Sequence, residues 1–233
     1  GGARAGGGAD LLDVGGEPPR PGAEPVDAET QMARIGPVLD GLADGPAPVS
    51  VDTRDADVMD AALTRGAAVI NDVSALTHDP RAPAVVARRG CPVVLMHMQG
   101  EPRTMQDDPR YACAPLDVFD ALAERIAACE AAGIHRERVV VDPGIGFGKT
   151  VAHNTALLAR VGVLHGLGCP VLLGVSRKSL IPKLSNGEPA DRRLPGSLAA
   201  ALAGVREGVQ ILRVHDVAET RQALAIARAV AGA

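Results

Sequence analysis

The sequence predicts an α/β fold of the (βα)8 (TIM) barrel type, and three observations lead to this prediction. Predicted strands and helices alternate without hairpin signals, which is typical of a parallel sheet. The 233 residues suit one large domain, so we expect residues 1–233 to form a single barrel domain. Nearly every predicted strand ends in a polar residue, whereas an open doubly wound sheet needs such residues only near its switch point.

Each predicted strand is a short run of β-branched and aliphatic residues bounded by turn residues. Seven strands are predicted, so the barrel interpretation expects the first strand of the barrel to lie before Gly1. The predicted strands cover residues 9–14, 48–51, 67–70, 92–96, 139–141, 170–175 and 209–214. The polar residues at their ends are, in order, Asp13, Asp52, Asn71, His97, Asp142, Ser176 and His215.

The predicted helices carry apolar residues at spacings of three and four, which gives each of them one apolar face. Residues 179–208 are also predicted to be mostly helical, with a break around residues 186–195. The other predicted helices cover residues 26–42, 56–65, 83–89, 116–132, 154–163 and 217–230.

Composition excludes several classes of function. Aromatic residues make up 1% of the chain, so the core must be aliphatic and the base-stacking platforms of nucleic-acid modules cannot be built. The net charge of −4 gives no general attraction for polyanions. No apolar run is long enough to span a membrane. The four cysteines are widely spaced, which favours a reducing, cytoplasmic location; we expect neither a nucleic-acid nor a membrane partner.

Residues 139–149 combine a buried strand, a carboxylate and a glycine-rich turn. A Walker loop needs four residues between its first glycine and the Gly-Lys pair, but only three separate Gly144 from Gly148. The dinucleotide fingerprint fails as well, because Lys149 stands where its third glycine belongs. The glycines are better explained as room for a flat ligand that lies near Phe147 and reaches Asp142.

Asp52, Asn71 and Asp142 would each, taken alone, more often be a loop or helix cap than a site residue. Together at one barrel mouth they form a polar cluster, and a carboxylate there can accept two parallel N–H groups from a guanidine-like ring edge. The stretch 176–179 (Ser-Arg-Lys-Ser) meets a predicted helix N-terminus, which favours anions.

The last predicted strand ends with two basic side chains. Arg213 and His215 alternate there, so they are expected to face the same side, where phosphate sites are common in barrels. His97 is interpreted as a structural histidine because nothing pairs it with a nucleophile. No histidine or cysteine cluster has zinc spacing.

Eight motifs, in order along the chain, together resemble the dihydropteroate synthase family of folate-pathway enzymes. They start at residues 13–17 (DVGGE), 20–23 (RPGA), 51–54 (VDTR) and 70–74 (INDVS). They continue at residues 95–100 (LMHMQG) with 104–106, 142–149 with 153–154, 176–179 (SRKS) and 213–217 (RVHDV). The resemblance covers essentially the whole chain and implies a pterin-binding (βα)8 barrel.

That resemblance implies a condensation of p-aminobenzoate with hydroxymethyl-dihydropterin pyrophosphate, releasing pyrophosphate. It implies catalytic roles for Asp52, Lys178 and Arg213, and a pyrophosphate site of Arg20, Arg213 and His215. It implies a p-aminobenzoate site of Arg20, Pro21, Phe147 and Ser179. The pterin-contacting residues that it implies are Asp52, Asn71, Val73, Met96, Asp142, Phe147, Gly174 and Lys178.

The resemblance also implies a Mg²⁺ cofactor, small-molecule substrates, a homodimer formed through helices near the C-terminus, and a target for sulfonamides. The family's first strand and its mobile loop, which supplies an asparagine ligand to the metal, would precede Gly1, so no metal ligand is expected in this chain. Pro18-Pro19 replaces the family's usual Ser-Thr. Two alternatives stay open: a pterin-dependent methyltransferase barrel, and a non-catalytic pterin-binding module.

Overall fold

The computed structural model describes residues 8–17, 26–100 and 104–232 of the chain. All strand pairings found among them are parallel, because each strand is followed by a helix or turn that returns the chain to the same end of the sheet. The strands are β1 (Leu12–Gly15), β2 (Val49–Asp52), β3 (Val69–Asp72), β4 (Val93–Met96), β5 (Val139–Asp142), β6 (Leu172–Leu173) and β7 (Ile211–Leu212).

The strands follow chain order around the sheet. β1 to β5 form a five-stranded sheet and β6 pairs with β7. An isolated parallel bridge between Val141 and Val171 links the two groups. Alternating strand and helix with neighbours in sequence order is the arrangement predicted from the sequence.

Eight α-helices are assigned among the described residues. Their starts follow local rules: Asp27 and Asp55 accept backbone N–H bonds at the starts of the first two helices, and Thr150 and His153 form a reciprocal capping pair. The helices are α1 (Ala28–Leu42), α2 (Ala56–Thr64), α3 (Ala82–Arg89), α4 (Ala114–Ala131), α5 (Val151–Leu158), α6 (Leu180–Leu184), α7 (Leu194–Arg206) and α8 (Val217–Ala231). Short 3₁₀ turns cover Arg136–Arg138, Val161–Leu167 and Ala190–Arg192.

The core is aliphatic, as the scarcity of aromatic residues requires. Strand residues such as Val51, Ile70, Leu95, Val139 and Leu173 are fully buried, and helix residues pack against them from outside. No described helix is long and apolar enough to cross a membrane.

The elements predicted from the sequence are all present, with boundaries shifted by a few residues. The largest differences lie at the end of the barrel, where β6 and β7 each pair over two residues and the helix predicted over 154–163 divides into α5 and a 3₁₀ segment. Arg20 and Pro21, predicted for the pyrophosphate and p-aminobenzoate sites, lie outside the described residues, as does the Pro18-Pro19 pair.

Candidate active site

The polar side chains that end neighbouring strands gather at one edge of the sheet. The register pairs Asp52 with Asn71 and Met96 with Asp142, so parallel pairing alone brings these positions together. The side chains are enclosed: Asp52 and Asn71 are each 6% exposed and Asp142 is 7% exposed. Burying two carboxylates and an amide is costly unless they find partners, which points to a binding role for this edge.

Arg213 joins the two ends of the strand series. It follows β7, and its Nε donates to Asp13 Oδ2 of β1 at 2.7 Å while its Nη2 donates to Asp52 Oδ2 of β2 at 3.3 Å. Asn71 Nδ2 also donates weakly to Asp13 Oδ2, at 3.4 Å. One cation thus holds two carboxylates that would otherwise repel each other.

Burial dominates the electrostatics of this carboxylate pair. It raises the pKa of Asp52 to about 8, with Asp13 adding to the rise and Arg213 opposing it. A carboxyl group with such a pKa changes charge when a ligand brings or removes positive charge nearby. Perturbation by both burial and a specific charge partner is typical of functional sites.

Asp142 lies beside a second cation. Its Oδ1 accepts a 2.7 Å bond from the Gly144 backbone N–H. Burial raises the pKa of Asp142, whereas the nearby Lys178 ammonium is the largest influence that lowers it. Burial in turn lowers the pKa of Lys178 to about 8, with Asp142 opposing the fall and Arg213 adding to it. The two groups therefore stabilise each other's charged form inside the pocket.

The glycine-rich segment after β5 lies beside Lys178 and Asp142. Lys178 Nζ lies 4.8 Å from the centre of the Phe147 ring and donates to the Ile145 carbonyl. Gly174 lies against Lys178 and Arg213, since a β-carbon there would be in van der Waals contact with Lys178 Nζ at 3.8 Å. Met96 lies against Gly144 and, like Val73, is buried. These residues give an apolar wall next to polar groups, as small-molecule pockets require.

Arg213 and His215 have different partners. Arg213 contacts the β1 and β2 carboxylates, whereas the His215 ring and backbone N–H both bond Ser176 Oγ, at 3.0 and 3.2 Å. That both side chains face the same side stays a prediction. Arg177 pairs with Asp216. The β6 and β7 loops are thereby tied to each other next to the cluster.

Ser179 is exposed and precedes α6, a helix of five residues, and its side chain makes no capping bond. A helix this short offers only a weak dipole, so an anion at Ser179 would depend on its hydroxyl and on backbone N–H groups.

Two residues of this region were not among the sites predicted from the sequence. Asp13 is bonded to Arg213, and its strand-end position was the available signal. Lys149 is 3% exposed and bonds His97, which had been interpreted as structural. A lysine after a glycine turn normally indicates a solvated loop, so no sequence signal pointed to its burial.

Comparison with known proteins identifies the family. A profile of the pterin binding enzyme family matches residues 3–215. The dihydropteroate synthase of Escherichia coli K12 is 44% identical over 227 residues, which is 97% of this chain and 80% of that protein. The chain belongs to the dihydropteroate synthases, a group of pterin-binding enzymes.

Solved structures of dihydropteroate synthases show the same fold. The Yersinia pestis enzyme, solved in complex with a sulfonamide drug, superposes with a TM-score of 0.95 at 41% identity, covering 100% of this chain and 84% of that one. The Xanthomonas albilineans enzyme, solved with 7,8-dihydropteroate, gives a TM-score of 0.89 at 44% identity, covering 100% and 83%. The predicted α/β barrel class and the transferase activity of a dihydropteroate synthase are confirmed.

Proposed function

We propose that the strand-end cluster of this dihydropteroate synthase is where it joins p-aminobenzoate to hydroxymethyl-dihydropterin pyrophosphate. The observation that carries this assignment is the buried Asp142 carboxylate, which accepts a backbone N–H bond and interacts with the Lys178 ammonium, itself 4.8 Å from the centre of the Phe147 ring. A pterin has a guanidine-like edge with two parallel N–H groups, and a carboxylate accepts such a pair well. It is also a flat ring that suits the wall formed by Met96, Phe147 and Gly174.

The pterin would lie with its guanidine-like edge on Asp142. Asn71 and Asp52 would supply further polar contacts from β3 and β2, and the buried Val73 would contribute apolar surface. Lys178 would donate to the ring's carbonyl or nitrogen acceptors, since its Nζ interacts with the Asp142 charge and lies 4.8 Å from the centre of the Phe147 ring. Two N–H groups on Asp142 favour its ionised form and so oppose the effect of burial on its pKa.

Arg213 would bind the pyrophosphate, together with His215 and Arg20. In the reaction, the amine nitrogen of p-aminobenzoate forms a bond to the pterin methylene carbon. The carbon–oxygen bond to pyrophosphate breaks, pyrophosphate takes the bonding electron pair, and the amine loses a proton. Negative charge grows on the leaving group, and a fixed guanidinium stabilises it most where water is excluded.

Asp52 would stabilise the positive charge that develops in the same step. As the leaving group departs, positive charge develops on the pterin methylene, and the ionised Asp52 carboxylate stabilises it. Because the pKa of Asp52 is raised, its ionisation depends on nearby charge, and the developing cation favours the ionised carboxylate. No protein nucleophile is needed for this step.

The p-aminobenzoate would lie between Phe147 and Ser179, with Arg20 and Pro21 completing the site. The Phe147 ring offers a face for the benzene ring, and the Ser179 hydroxyl offers a donor for the carboxylate. Support for a two-part site comes from the Xanthomonas relative, which was solved with 7,8-dihydropteroate, a molecule that contains both halves.

A Mg²⁺ ion fits the donors available beside Arg213. Asp13 Oδ1 is a buried oxygen without a hydrogen-bond partner among the described residues. No group of three or more metal-binding side chains occurs in the described ranges, but Mg²⁺ commonly uses one or two carboxylates together with substrate phosphates. The resemblance implied no metal ligand in this chain, but the unpaired Asp13 oxygen favours a site in which Asp13 and the pyrophosphate oxygens would hold the ion, which would supply positive charge to the leaving group.

We also propose a homodimer and a cytoplasmic location. Thr220 is the only buried residue of α8 in the described range, and Ile226 and Val230 are 64% and 74% exposed. Exposed apolar residues on one helix are a common dimer surface. Ile226→Glu should give monomers by light scattering, while Ala225→Glu on the same helix should not. The cytoplasmic proposal rests on the four cysteines, which are widely spaced along the sequence, as is common for the reduced thiols of cytoplasmic proteins.

The test is release of pyrophosphate and formation of dihydropteroate from the two substrates with Mg²⁺. We expect equal amounts of both products and no pyrophosphate release without p-aminobenzoate. Pterin binding without product formation would instead support a non-catalytic pterin-binding module. Binding of neither pterin nor pyrophosphate would contradict the assignment of this cluster.

A further inference from the structure

The segment Gly144–Gly148, which carries Phe147 and bonds Asp142, has an unusual set of hydrogen bonds. Each of its five carbonyl oxygens accepts a bond from a side chain outside the segment. The Gly144 and Phe147 carbonyls accept from Lys149 Nζ, at 3.0 and 2.9 Å. The other three donors are Lys178 to Ile145, Gln106 to Gly146 and Tyr111 to Gly148.

Tyr111, one of these donors, reaches the end of β4 through a ring contact with His97, with the ring centres 6.0 Å apart, and Lys149 reaches it through hydrogen bonds. Its Nζ lies 2.9 Å from His97 Nδ1 and 3.3 Å from the His97 carbonyl oxygen. Burial lowers the pKa of His97 to about 3, so its ring is neutral and Nδ1 can accept. Lys149 therefore connects two ends of the glycine segment to a neighbouring strand through one buried nitrogen.

This connection controls the conformation next to Asp142. Gly144 has a φ of +65° and its N–H donates to Asp142 Oδ1, while its carbonyl is held by Lys149. Turning the Gly144 peptide groups would break both bonds at once. The His97 backbone N–H also donates to the Asp142 carbonyl oxygen at 3.0 Å, so both sides of Asp142 depend on this contact region.

We propose that Lys149 is a positioning residue for the pterin site: by bonding the Gly144 and Phe147 carbonyls to His97, it holds the Asp142 carboxylate and the Phe147 ring in their binding geometry. The inference rests on the proposed assignment of the pterin to Asp142. Arg213, which is proposed to bind the pyrophosphate, follows β7 and bonds the β1 and β2 carboxylates, so loss of the Lys149 contacts should act on the pterin site first.

The test compares Lys149→Met with Lys183→Met, the same change at an exposed lysine of α6. Calorimetry measures the Kd of a free hydroxymethyl pterin and, separately, of inorganic pyrophosphate. For Lys149→Met we expect pterin binding to weaken about tenfold or more, with pyrophosphate binding changed less than about twofold. Lys183→Met should change neither.

A second pair of variants keeps the test decisive if Lys149→Met does not fold. His97→Ala removes the acceptor for Lys149, whereas His97→Asn keeps a polar atom near the position of Nδ1. His97→Ala should weaken pterin binding selectively and His97→Asn should restore most of it.

The outcomes separate the two proposals. Equal loss of pterin and pyrophosphate affinity, or unchanged pterin affinity in Lys149→Met and His97→Ala, would overturn the positioning role. A wild-type chain that binds no pterin would instead overturn the proposed function.

Discussion

Arg213 bonds Asp13 across almost the whole length of the chain. The two residues are 200 positions apart, and the guanidinium Nε lies 2.7 Å from the Asp13 carboxylate. Arg213, which follows β7, thus contacts β1, and its Nη2 also bonds the Asp52 carboxylate at the end of β2. The same arginine balances two acidic groups and, in the proposed function, would also offer positive charge to the departing pyrophosphate, so its loss should have separable effects.

Arg213→Ala should impair pyrophosphate binding while largely sparing free pterin. We expect the Kd of pyrophosphate to rise at least tenfold, a loss of about 1.4 kcal/mol, because one charge-assisted contact is removed. Calorimetry with pyrophosphate and with hydroxymethyl pterin measures the two effects. Arg206→Ala, at an exposed arginine of α7, is the control. Equal loss for both ligands would contradict the assignment of Arg213 to the pyrophosphate.

Asp52 should make the ligand-free fold less stable as the pH rises from 5 to 7. Its folded pKa of about 8 exceeds its ordinary value of 3.8, so in this window the folded state holds a proton that the unfolded state has released. The contribution of Asp52 to the free energy of unfolding is therefore present at low pH and is lost as the pH approaches 8. Burial also raises the pKa of Asp142, which acts in the same direction, whereas the lowered pKa of His97 acts in the opposite one.

Comparing Asp52→Asn with wild type isolates this contribution. From pH 5 to pH 7, the difference in unfolding free energy between Asp52→Asn and wild type should change by roughly 2 kcal/mol in favour of the variant. Each pH unit is worth up to about 1.4 kcal/mol. Urea denaturation at both pH values measures it. Asp44→Asn, at an exposed aspartate, should follow wild type. Parallel pH curves for Asp52→Asn and wild type would show that the Asp52 pKa is not raised.

Gly144 should not tolerate a side chain. A β-carbon there would stand 1.9 Å from the His97 carbonyl oxygen, and its φ of +65° is also unfavourable for alanine. Gly187 has a similar φ of +79° but open space around it, so it is a matched control. Gly187→Ala should cost about 1 kcal/mol and Gly144→Ala at least about 3 kcal/mol of unfolding free energy. Similar costs in thermal unfolding would show that the contact with His97 is not restrictive.

Much of the site could be predicted because it follows from strand position. Asp52, Asn71 and Asp142 end parallel strands, and parallel pairing places such residues at one edge without further information. The fold class followed in the same way from alternation of strands and helices. These signals are local, so one sequence is enough to see them.

The contacts that the sequence did not reveal depend on distant partners. The bond between Arg213 and Asp13 exists only once the last strand approaches the first. The burial of Lys149 depends on the Gly144, Phe147 and His97 carbonyl groups, which all accept from its Nζ, and no spacing in the sequence encodes that. The interpretation of His97 as a structural histidine stays a prediction, and it did not reveal the bond to Lys149.

The most direct test of the account is the affinity of Asp142→Asn for a free hydroxymethyl pterin, measured by calorimetry. The substitution keeps the size of the side chain but removes the charge that would pair with the guanidine-like edge. We expect binding to weaken by about 2 kcal/mol or more, roughly thirtyfold, with Asp120→Asn on the exposed face of α4 unchanged. Unchanged pterin affinity in Asp142→Asn would contradict the assignment of the pterin to this carboxylate.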